Sequence, residues 1–213
     1  MNNGTLKITN NNIMSRAFDN NGTGTLIVEN NRQMNGNKIT NNDEGTIEIH
    51  NNLNGHLDSE ITNTKKGNIQ ITNDDVLGGL IANLGESKGS DENNIEIINR
   101  KTLTSTIRND ASGAIKISNE SSGNLSSNII NNRSGKISFI NQGVSSPAQI
   151  TNSGTGEVSV INNHILRTDV TNDATSSGLI SFSNTADFDG NLINANSGSI
   201  IGVNTGNFTG TTR

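Results

Sequence analysis

Apolar residues fall at every second position in short runs along this chain, and the runs recur. Residues 4–10 (GTLKITN), 24–30 (GTLIVEN), 45–51 (GTIEIHN), 67–73 (GNIQITN) and 113–119 (GAIKISN) share one frame. Residues 135–141 (GKISFIN), 156–162 (GEVSVIN) and 178–184 (GLISFSN) repeat it, while 93–99 lacks the glycine and 198–204 is degenerate. The frame is G-x-Φ-x-Φ-x-N, with Φ apolar. Alternation of this kind, rich in β-branched residues, predicts a strand with one buried face.

Successive copies start near residues 4, 24, 45, 67, 93, 113, 135, 156, 178 and 198, so nearly all intervals are 20–22 residues. Between them runs a second frame, Φ-x-σ-x-Φ-x-N with σ small. Leu57/Ser59/Ile61/Asn63, Leu77/Gly79/Ile81/Asn83, Leu103/Ser105/Ile107/Asn109, Leu125/Ser127/Ile129/Asn131, Leu166/Thr168/Val170/Asn172 and Phe188/Gly190/Leu192/Asn194 follow it. Each unit therefore reads as strand, corner, strand, corner. One such unit cannot bury its apolar face alone, but stacked copies build a continuous core. The expectation is an all-β parallel β-solenoid, a β-helix of about ten rungs with two main strands per repeat, spanning 1–213 as one repeat domain. At about 4.8 Å per rung the stack is on the order of 50 Å long.

Parity sorts the positions. Glycine, both Φ positions and the terminal Asn share one parity and point inward; Thr46, Glu48, His50, Lys136 and Ser138 take the other and point to solvent. Inward Asn recurs at Asn10, Asn30, Asn51, Asn73, Asn99, Asn119, Asn141, Asn162, Asn184 and Asn204 in the first frame. In the second it recurs at Asn20, Asn41, Asn63, Asn83, Asn109, Asn131, Asn152, Asn172 and Asn194. A buried amide is costly unless paired, and identical amides in successive coils can pair with each other and with corner backbone. Two asparagine ladders are expected, one at each corner.

Departures from the pattern are few. The fourth interval, which leads into the fifth unit, is long because a polar insertion, residues 84–92, follows Asn83. Arg16, Asn35 and Asn37 fall on inward positions of the second frame, which implies distortion of the first two rungs or a shifted register there.

Composition alone suggests disorder: 29% of residues are hydrophobic and Trp and Tyr are absent, against about 45–50% apolar in ordinary globular domains. The periodicity overrides that inference. A net charge of −5 without a basic stripe argues against nucleic-acid partners. No run approaches the ~18 apolar residues of a membrane span. Met1 leads directly into Asn2, Asn3 and Gly4, so any leader or anchor is expected outside this sequence.

Reactive chemistry is sparse. There is no Cys, and His50, His56 and His164 lie in different units without ligand spacing. Asp43/Glu44, Asp74/Asp75 and Asp91/Glu92 follow ladder Asn residues and read as solvated corner carboxylates. Neither a catalytic pair nor a metal or cofactor site is expected, so the chain does not read as an enzyme. The outward column before the first-frame Asn turns apolar at Ile98, Ile140 and Ile161. With outward Ile130 and Ile193 these form a candidate interaction patch.

The repeated frames resemble two bacterial groups over residues 4–204. Long, Asn/Gly/Thr-rich, cysteine-free solenoids with short corners are similar to the parallel β-helix passengers of autotransporter adhesins. The six-residue spacing kept by residues 113–119 and 125–131 resembles the curlin repeat of functional amyloid, with Asn where curlins carry Gln. The first resemblance implies an extracellular or cell-surface rod that presents binding surfaces to a host or cell-surface ligand. The second implies a fibre subunit self-associating through open solenoid ends. A carbohydrate-active β-helix enzyme is the third class, and lacks a clustered outward pair of carboxylates.

Overall fold

The computed structural model describes residues 3–87 and 93–213, with the side chain of Asn37 excepted. The expected inward placement of Asn37, the Asp91/Glu92 pair and most of the corner insertion lie outside the described residues. Described secondary structure is all β.

One wall is a ten-stranded parallel sheet in strict chain order. Its strands are Thr5–Asn10, Thr25–Asn30, Thr46–Asn51, Asn68–Asn73, Ile95–Asn99, Ala114–Asn119, Lys136–Asn141, Glu157–Asn162, Leu179–Asn184 and Ser199–Asn204, here numbered as rungs 1 to 10. Pairing is residue on equivalent residue: Ile115 on Ile137 on Val158 on Ile180 on Ile200, and Ile117 on Phe139 on Val160 on Phe182. Alternate residues in rungs 2 to 9 are buried, as the parity requires, while the outermost strands are largely exposed. The parallel β-solenoid read from the sequence is the observed fold.

The second wall is also parallel but is not one strand per rung throughout. It is continuous over His56–Asn63, then splits into Val76–Gly78 and Leu80–Asn83, and every later rung through rung 9 has two short strands. The break falls at the small σ residue, where Ser105, Ser127 and the left-handed Gly79 (φ 85°) sit. A small inward residue lets the wall bend there, and Gly79 supplies a backbone geometry that other residues resist. Ser105 and Ser127 are fully buried and lie 3.5 and 3.2 Å from the carbonyl oxygens of Leu77 and Leu103 in the preceding rung.

The first two rungs depart from the repeat frame. A bulge between Asn35 and Lys38 adds one residue to rung 2, so Met34, fully buried, takes the place of Leu57 in the next rung. Asn35 pairs with Asp58 on the outward parity. Arg16 is exposed, and Met14 instead bridges to Met34. Rung 7 carries a similar extra residue: Ser145 stacks between Leu125 and Leu166, while Ile150 stacks between Ile129 and Val170.

Between the walls lies one core of Ile, Leu, Val, Met and Phe running from Leu26 to Leu192. Stacking gives a thin core this continuity, because each apolar side chain is covered by its equivalents above and below. Phe182, Phe188 and Phe208 stack at the C-terminal end, with ring centroids 4.7 and 5.2 Å apart.

Candidate functional site

The inward asparagines form the ladders expected of them. In the first, each Nδ2 donates to the Oδ1 of the next rung without interruption from Asn10 through Asn30, Asn51, Asn73, Asn99, Asn119, Asn141, Asn162 and Asn184 to Asn204. The distances are 2.7–2.9 Å. Most of these amides also donate to corner backbone: Asn51 to Gly55 O at 3.1 Å and Val76 O at 2.8 Å, Asn162 to His164 O at 2.9 Å. Those carbonyls fix the amide orientation, since a flipped amide would set Oδ1 against an acceptor. The ladder therefore has a direction, donor toward the C-terminal end in every rung.

The second ladder runs from Asn41 through Asn63, Asn83, Asn109, Asn131, Asn152 and Asn172 to Asn194 at 2.9–3.2 Å. Asn20 is buried but stands apart, donating to Gly24 O and Thr46 O, and the Oδ1 atoms of Asn20 and Asn41 are buried without a hydrogen-bond partner. Asn20 still pairs with Asn41 in backbone register, so the missing link lies in the side chains alone. Asn194 is only partly buried.

The frame glycine belongs to this second ladder. A Cβ at Gly135 would lie well inside van der Waals contact of Asn109 Nδ2 and Gly113 O, and one at Gly67 would meet Asn41 Nδ2 in the same way. Only a residue without a side chain leaves the amide room to reach the corner carbonyl. Rung 5 is no exception, despite Asn93: Gly85 takes the place, accepting from Asn83 Nδ2 at 3.2 Å and from Gly113 N at 3.2 Å. Leu84 and Gly85 thus keep cross-rung backbone bonds, Leu84 N donating to Asn63 O at 2.8 Å. Asn94, which the frame did not single out, is fully buried at the return of the insertion. It donates to Glu86 O at 3.1 Å and accepts from Ala114 N at 3.0 Å. The only sequence signal for it is an Asn beside the vacant glycine position.

The structure divides the candidate apolar patch between two walls. Ile140 and Ile161 stack directly, and Ile98 is separated from Ile140 by Ser118, all on the first wall. Ile130 and Ile193 lie on the second wall, with Thr151 and Thr171 between them. All five are partly buried. Beside Ile140 and Ile161, Ser138, Ser159 and Ser181 form an uncharged outward column. At the corner where the second wall returns to the first, Ser112, Ser134, Thr155 and Ser177 line a groove of about 550 Å³.

Charged residues pair across rungs. Lys7 meets Glu29 at 2.7 Å, Lys116 meets Glu96 at 2.8 Å, and Arg100 lies between Glu120 at 2.9 Å and Asp74 at 3.4 Å. The hydrogen bond from Lys7 holds the Glu29 carboxyl below its ordinary range, and that to Glu120 raises Arg100. Burial pushes Asp173 up, but hydrogen bonds from Ser153 and Thr175 outweigh it and hold the carboxyl below the usual value. Of the corner acids, Asp43 meets Lys65 at 3.4 Å and Asp75 accepts from Asn54 N at 2.8 Å. His56 and His164 are exposed and His50 is partly so. Among the described residues no three His, Cys, Asp or Glu side chains come together as a metal site, and no helix is long and apolar enough to cross a membrane.

What fold and ladders define is a parallel β-solenoid repeat protein. In comparisons with known proteins, no family model, no curated protein and no solved structure matches the chain.

Proposed function

We propose that the chain is a non-catalytic structural module, a rigid rod exposed outside the cell or on its surface that presents its outward columns to a cell-surface or host ligand. One observation carries this reading: the first ladder is unbroken from Asn10 to Asn204, and outward positions of the first wall change in chemical character from rung to rung while its inward strand positions in rungs 2 to 9 stay apolar or Asn. Inward identity fixes the scaffold and outward identity is free to carry recognition. The corner acids with charged partners serve cross-rung pairs, and the acidic balance of the chain disfavours polyanionic partners. The resemblance to autotransporter adhesins supports the same reading, and the first-wall face around Ile140 and Ile161 is the surface to test first.

Beads coated with the chain, applied to cultured cells and immobilised glycans, test it. Retention that falls on Ile140→Asp or Ile161→Asp, with the melting temperature unchanged, supports display of a binding face. Absence of retention on every surface, or cleavage of a glycan, contradicts it.

A second reading, a fibre subunit, is favoured by the direction of the first ladder, which gives the rod unlike ends.

A further inference from the structure

We propose that the chain joins a second copy of itself head to tail, the last rung of one copy seating the first rung of the next in the register that joins rungs within the chain. This deepens the fibre reading and rests on the solenoid, not on adhesion. In a longer polypeptide the same two faces are the ones adjoining rungs would cover; in the 213-residue chain they are open to a second copy.

The rung-to-rung interface is already established along the first wall, always parallel, with apolar on apolar and Asn on Asn. Carried one step further, the register sets Leu6 over Ile200, Ile8 over Gly202, Asn10 over Asn204 and, on the second wall, Met14 over Phe208. The ladder is complementary across that joint. Asn10 is its acceptor end: its Oδ1 receives Asn12 N at 3.2 Å and, like every Oδ1 above it, has a second lone pair along the axis. Asn204 is the donor end: one amide hydrogen goes to Gly206 O at 3.0 Å, and the other is the one each lower rung gives to its neighbour. Head-to-head or tail-to-tail contact would set acceptor against acceptor or donor against donor.

Shape fits as well. Gly202 stands where lower rungs place Phe182, Val160, Phe139 and Ile117. It leaves a cavity of about 500 Å³ lined by Phe182, Leu192, Ile200 and Phe208 at the C-terminal end. The register directs Ile8 of the next copy into that cavity. Inward apolar positions that inner rungs bury are open at both ends, Leu6 at 53% on the first face and Ile200 only partly buried on the last, and outer strands of a sheet pair readily with further strands. Because the two faces differ the joint is heterologous, and because it continues the rung stack along the rod it does not close, so it propagates as a filament.

Complementation tests this. The parent chain, followed by sedimentation and electron microscopy over a concentration series, is expected to give unbranched filaments one solenoid wide that elongate from sheared seeds. Ile8→Lys blocks only the first face and Gly202→Lys only the last. Each alone is expected to remain monomeric, and an equimolar mixture to give a heterodimer that grows no further. Leu6→Glu, at an exposed side chain, repeats the first-face block, and Ile200→Glu the last-face block, should either original variant lose the parent circular dichroism spectrum. A parent chain that stays monomeric at its highest soluble concentration overturns the proposal. So does dimerisation of a single blocked variant, or a mixture that stays monomeric while the parent assembles. Failure of bead adhesion leaves all of these readouts unmoved, so the two proposals fail separately.

Discussion

Asn119 Nδ2 donates to Asn141 Oδ1 at 2.9 Å, joining two buried side chains 22 residues apart in sequence and one rung apart in space. Replacing Asn119 with Leu deprives Asn99 of its acceptor and Asn141 of its donor. A buried group left unpaired costs about 1–3 kcal/mol, so Asn119→Leu is expected to lower the melting temperature markedly. Lys116→Gln removes only a partly exposed ion pair with Glu96 and is expected to stay within about 1 kcal/mol. Equal, negligible losses in paired thermal melts would contradict buried ladders.

Gly135 and Gly4 occupy the same frame position with different surroundings. A Cβ at Gly135 collides with Asn109 and with the backbone of the preceding rung, whereas one at Gly4 meets nothing within 4 Å. Gly135→Ala is expected to destabilise by about 1–3 kcal/mol and Gly4→Ala by less than about 0.5 kcal/mol, as measured by denaturant titration.

Phe139 is fully buried, stacked between Ile117 and Val160. Phe139→Ala should cost about 3–5 kcal/mol. Because stability in a stacked array is passed between neighbours, hydrogen exchange is expected to speed up most in rungs 6 to 8 and least in rung 2.

Strict alternation is why so much of this was legible. Eight first-wall copies retain glycine, two apolar positions and Asn at fixed offsets, and one frame served all of them, so wall, register and ladder followed together. What stayed hidden came from single-residue insertions. At Met34–Ile39 and Ser145–Ile150 one extra residue keeps the terminal Asn in place but inverts the parity counted back from it, and so the repeat frame puts Asn35 inside. The bend of the second wall left no mark beyond a small residue, which strands also tolerate. Asn94 and Gly85 share one job across a corner insertion, and a repeat aligned by position alone cannot divide a job between two sites.

Asp173 gives a pH signature. Ser153 and Thr175 hold its folded carboxyl below the unfolded value despite the opposing effect of burial. Its stabilising contribution is complete above the unfolded pKa, near about 3.9, and is lost as pH falls from there through the folded value. Asp173→Asn is expected to lower the melting temperature slightly at neutral pH and to flatten its decline below about pH 4. A variant with the same acid slope as the parent would contradict this assignment.

Solution NMR of the ¹⁵N-labelled chain tests the stacking itself most directly. Parallel rungs require nuclear Overhauser contacts from the Asn119 side-chain amide to Asn141 and from Ile117 to Phe139, with the ladder amides exchanging far more slowly than that of exposed Asn163. Asn119 exchanging as fast as Asn163, or antiparallel contacts between the strand Ala114–Asn119 and its neighbour Lys136–Asn141, would contradict the solenoid.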